Sequence, residues 1–64
     1  MNEDTLIEDL AALARKKIDR LPDDYTVKAF KNGNFLGKFP EGSFRSNDRQ
    51  WVEDMLWIAA AGRA

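Results

Sequence analysis

The chain has 64 residues, 44% hydrophobic and 33% charged, with ten basic against eleven acidic side chains and neither Cys nor His. That composition fits one small globular domain and excludes disulfides, thiolate nucleophiles, Cys- or His-ligated metal and the one side chain that titrates unperturbed near neutrality. A net charge of −1 supplies no global attraction to phosphate or anionic lipid, so contact with either needs a local patch.

From about residue 5 to 20 the apolar positions Ile7, Leu10, Ala14, Ile18 and Leu21 recur at spacings of three and four, flanked by Leu6, Ala11 and Leu13, which predicts a helix with one core face. Thr5 followed three residues later by Glu8 has capping-box spacing, and Pro22 ends the segment because it removes a donor and pushes the preceding residue out of the α region. Acids cluster at the start, and Arg15, Lys16, Lys17 and Arg20 lie near the end, opposing the helix macrodipole.

Residues 25–39 read as a hairpin about Asn32-Gly33. A two-residue loop would pair Phe30 with Phe35. A three-residue loop at 31–33, with Gly33 left-handed in a bulge, pairs Ala29 with Phe35, Val27 with Gly37 and Tyr25 with Phe39. The second register is preferred, because it gathers Tyr25, Val27, Ala29, Phe35 and Phe39 on one face and Thr26, Lys28, Asn34 and Lys38 on the other. Phe30 and Leu36 are then apolar exceptions on the polar face.

Pro40-Glu41-Gly42-Ser43 breaks the strand, and residues 40–47 read as a loop in which Phe44 folds back onto the core. A second helix is predicted over about 48–61, with Asn47 as N-cap, Gln50 at the capping-box position and Gly62 as the left-handed C-terminal residue. At 100° per residue, Trp51, Val52, Met55, Ile58 and Ala59 form its core stripe with Leu56 at the edge. Trp57 falls on the opposite side, beside Gln50, Glu53, Asp54 and Ala61.

The expected fold is therefore α+β, a single domain of order helix, hairpin, helix (αββα), with two helices packed on a two-stranded antiparallel sheet. For a mass of 7.3 kDa, surface scaling gives a folded area of ~4,200 Å² and an unfolded one of ~10,600 Å². With roughly 60% of the difference apolar, burial contributes ~95 kcal/mol, against ~96 kcal/mol for ordering the chain. A lone chain stands close to balance, so a core rich in large side chains or a partner must supply the surplus.

No constellation supports an enzyme. The paired acids at Glu3-Asp4, Glu8-Asp9 and Glu53-Asp54 do not converge on one ion, since helix neighbours point about 100° apart, and Asp23-Asp24 after Pro22 is a turn signature. The four glycines match no phosphate loop, and the hydroxyls of Thr5, Thr26, Ser43 and Ser46 lack a His base. No cofactor, metal or small-molecule substrate is expected.

Two binding features remain. Trp57, Phe30 and Leu36 are large apolar residues on faces predicted polar, and together they suggest an aromatic patch for a protein partner or a second copy of the chain. Lys28, Lys31, Lys38 and Arg45 against Glu41 give the segment 28–45 a charge of +3 while the rest carries −4. On the outer hairpin face, with Phe30 among them, these cations suit phosphates and bases, although exposed strands also carry Lys simply to deter edge pairing. The leading expectation is a non-enzymatic protein-interaction module, and the alternative is a nucleic-acid-binding accessory protein; salt separates them, because only phosphate contacts fade steeply with it. With no apolar run of membrane length and acids where a signal peptide carries Lys or Arg, the chain is expected in the cytoplasm and off the membrane.

The order helix, hairpin, helix at this length resembles the small head-to-tail joining proteins of lambdoid phages in topology and size. No residue motif accompanies that likeness, and the basic C-terminal tail of those proteins has no counterpart beyond Arg63. The likeness implies a structural role in a phage or mobile element. The segment from Tyr25 to Ala60 also resembles the DNA-reading hairpin and helix of integrase arm-binding domains, without their third strand.

Overall fold

The structure is a computed structural model and describes residues 3–63. Helix α1 spans Glu3–Lys17, strands β1, β2 and β3 span Thr26–Ala29, Phe35–Phe39 and Gly42–Ser46, and helix α2 spans Arg49–Arg63. The strands form one antiparallel sheet in the order β1-β2-β3. The α+β class and the element order follow the expectation, but the sheet has three strands, not two.

The first hairpin adopts the three-residue loop. Ala29 pairs with Phe35 and Val27 with Gly37, and Gly33 is the one residue with positive φ (88°) among those described. The Phe30 amide donates to the Asn34 carbonyl at 2.9 Å and the Gly33 amide to the Phe30 carbonyl at 3.2 Å. The Asn32 side chain accepts from the Asn34 amide at 3.2 Å, a local turn that explains why Asn precedes the glycine.

The third strand occupies most of the segment expected as the 40–47 loop. Pro40-Glu41 is a two-residue turn between the paired Phe39 and Gly42, and β3 continues through Phe44 opposite Gly37 to Ser46 opposite Phe35. Pro40 serves as the first central turn residue, where its fixed φ is an asset, and so reverses the chain without ending the sheet. Phe44 does reach the core, from a strand and not from a loop.

Among the described elements, only α2 covers the sheet. Val52 and Leu56 are fully buried against it, with Tyr25 and Ala60 completing the central cluster. Gly37 makes the close approach possible: a Cβ there would lie 2.6 Å from Val52 Cγ1 and 3.1 Å from Leu56. Around this contact the aromatics form a continuous row, with Tyr25 stacked on Phe39 at 5.6 Å, Phe39 on Phe44 at 5.1 Å, and Trp51 edge-on to Phe44 at 6.0 Å. Such pairs add about 0.5–1.5 kcal/mol each beyond their burial.

Helix α1 packs on α2, not on the sheet. It ends at Lys17, three residues short of the expected boundary, and the chain turns so that Ile18 and Leu21 reach the core cluster. Thr5 lies inside the helix instead of capping it. At the start of α2 the cap is Asp48 and not Asn47: its carboxylate accepts from the Trp51 amide at 3.3 Å, and its own amide donates to Ser46 Oγ at 3.1 Å. Gly62 remains helical, since α2 continues to Arg63.

The molecule is a slab of 33 × 31 × 17 Å. Its surface of 4630 Å² exceeds the ~4,200 Å² that its mass predicts for a closed globule. No helix among the described residues is long and apolar enough to cross a membrane.

Candidate nucleic-acid interface

Strand alternation divides the sheet cleanly. Val27, Phe35, Gly37, Phe39 and Phe44 turn toward α2, which leaves Thr26, Lys28, Phe30, Leu36, Lys38, Ser43 and Arg45 on the opposite face. No helix among the described residues lies over that face.

Cross-strand register arranges these residues in rows. Lys28, Leu36 and Arg45 occupy one row across all three strands, and Thr26, Lys38 and Ser43 the next. Neighbouring strands are ~4.8 Å apart, so the two cations at the ends of the first row stand ~10 Å apart at their Cα atoms. The Phe30 ring lies between them, with Lys28 Nζ at 5.6 Å and Arg45 Cζ at 5.4 Å from its centroid. Within ~6 Å of a ring centroid a cation is attracted to the π face, so the aromatic steadies both charges. Phe30 and Leu36 are half-buried and form the apolar floor of the patch.

None of the three strands contains an acidic residue. The nearest acid in sequence, Glu41 in the second turn, pairs with Arg63 at 3.7 Å and accepts from the Tyr25 hydroxyl at 3.5 Å, so it belongs to the opposite side of the sheet. Lys28, Lys38 and Arg45 are exposed, and Lys31 projects from the exposed first turn. The face is therefore a basic surface on a chain whose net charge is −1.

Of the residues singled out from sequence, the fold brings Phe30, Leu36, Lys28, Lys38 and Arg45 together and keeps Lys31 at their margin. Trp57 is elsewhere. It sits on α2, beyond the sheet layer, with the Arg15 guanidinium 5.3 Å from its ring. The α2 face expected to meet solvent is the one α1 covers, which also buries Asp54 and Ala61. Trp57 is accordingly half-buried and does not form one patch with Phe30 and Leu36.

A residue that sequence reasoning passed over is Asp54. It is 3% exposed and accepts from Arg15 Nη2 at 3.0 Å and Gln50 Nε2 at 2.9 Å. Its role is to join the helices, with every buried side-chain polar atom among the described residues partnered. Among those residues no three His, Cys, Asp or Glu side chains are grouped to hold a metal ion.

Comparison of the chain with protein-family models, curated proteins and solved structures finds no match.

Proposed function

We propose that this chain is a non-enzymatic nucleic-acid-binding protein that lays the open face of its three-stranded sheet against the phosphate backbone. The observation that carries the reading is the row Lys28, Leu36, Arg45 with Phe30 between its two cations, on a face without an acid. Lys28, Lys38 and Arg45 contact phosphates, Lys31 adds a further contact from the turn, and Phe30 and Leu36 meet sugars or base edges. A sheet of this width enters a major groove or supports a single strand.

Fluorescence anisotropy with a labelled random-sequence duplex and a labelled single strand tests the proposal. Four phosphate contacts predict roughly a 150-fold loss of affinity between ~50 and ~200 mM salt. The variant Lys28→Ala/Arg45→Ala is expected to lower the salt slope by about two, and Phe30→Ala to weaken binding with the fold intact. Absence of saturable binding at low salt, or an unchanged affinity in a folded double variant, would overturn the reading. Binding of a protein partner through Phe30 and Leu36 would instead be nearly indifferent to salt.

A further inference from the structure

Helix α1 turns Ala11 and Ala14 inward and its leucines outward. Ala11 and Ala14 are 0% and 4% exposed, whereas Leu6, Leu10 and Leu13 are 51%, 43% and 61% exposed. The three leucines and Lys17 are spaced four, three and four, the seam of a two-stranded coiled coil. On one side a shallow groove shared with Ile58 of α2 continues the apolar surface. Along the other edge lie Asp9 and Lys16, both exposed.

We propose that this seam is a homodimer interface, in which α1 packs antiparallel to α1 of a second copy across a two-fold axis. Charge selects the occupant. An antiparallel register that sets Leu10 against Leu13 of the second copy, and Leu6 against the aliphatic stem of Lys17, also sets Asp9 opposite Lys16 twice over, once on each side of the axis. A parallel pairing would carry Asp9 and Lys16 of one copy to the opposite flank of the seam from those of the other, so the two charges would not meet. Surface area points the same way: the chain exposes roughly 400 Å² more than a closed globule of its mass. Covering that excess on each copy would bury ~800 Å² in all, below the ~1,200 Å² at which stable specific interfaces begin, hence a weak, concentration-dependent dimer and not an obligate one. This inference is independent of the sheet face, which lies on other elements.

Sedimentation velocity from ~10 μM to ~1 mM brackets the affinity expected of so small an interface. Wild type is expected to move from the 7.3 kDa chain mass toward twice that value, while Leu10→Gln/Leu13→Gln stays monomeric throughout. Those leucines are exposed, so the variant should retain the wild-type circular dichroism. A wild type monomeric at every concentration, or a folded double variant that still dimerises, overturns the proposal. The charge pair tests it without touching the seam: Asp9→Lys should weaken association several-fold, and Asp9→Lys/Lys16→Asp should restore it. Equal dimer fractions in those two variants would exclude the antiparallel register.

Discussion

Gly37 is the residue on which the α2–sheet contact turns. A methyl group 2.6 Å from Val52 Cγ1 cannot be accommodated without displacing the helix, and both neighbours it meets, Val52 and Leu56, are fully buried side chains with short, stiff branches. Gly37→Ala is therefore expected to destabilise the protein by about 1–3 kcal/mol, read as a lower urea midpoint with an unchanged m-value. The higher strand propensity of alanine does not offset a clash of this size. In the sequence this role was partly visible, since a glycine within an alternating apolar run signals close approach. Asp54 was not visible. It stands next to Glu53, and an acidic pair on a helix reads as solvated; only the packing of α1 across α2 makes one of the two buried.

At the scale of elements, the junction of α1 and α2 rests on the clasp of Arg15, Gln50 and Asp54. Removing Arg15 leaves the Asp54 carboxylate buried with a single neutral donor, whereas changing both partners removes the charge with its counter-charge. Arg15→Ala is expected to cost about 1–3 kcal/mol in chemical denaturation, and Arg15→Ala/Asp54→Asn distinctly less than the sum of the two single changes. A strictly additive cycle would mean that Arg15 acts through its stacking on Trp57 instead. The first hairpin was legible because Asn32-Gly33 and the alternation of Val27, Phe35 and Phe39 specify one register together. The third strand was not, because β3 carries one large apolar residue, Phe44, among a glycine, two serines and an arginine, and follows a proline. The core face of α1 was legible only in part: Ala14, Ile18 and Leu21 do reach the interior, but Leu10 is exposed and Ala11 buried in its place, because helices approach each other more closely through small residues and periodicity alone cannot choose between adjacent stripes. The same limit placed Leu56 at the edge of the α2 core stripe, whereas it is fully buried.

For the whole molecule, the basic sheet face and the leucine seam reinforce each other if both proposals hold. Two linked sheet faces raise the local concentration of the second once the first has bound, so apparent affinity for a long duplex would exceed that for a short one without any new contact. Connectivity also has a kinetic consequence. Both hairpins and the packing of α2 on β2 and β3 lie within one continuous stretch from Tyr25 onward, while the Arg15–Asp54 contact closes a separation of 39 residues. Local pairings close first because short loops lose less entropy, so the sheet and α2 are expected to assemble as the nucleus and α1 to dock after the rate-limiting step. Contacts formed that late leave the rate of folding untouched and act as a latch on escape from the native state. In stopped-flow experiments Arg15→Ala should accelerate unfolding by its full equilibrium cost with refolding unchanged, whereas Gly37→Ala should slow refolding as well.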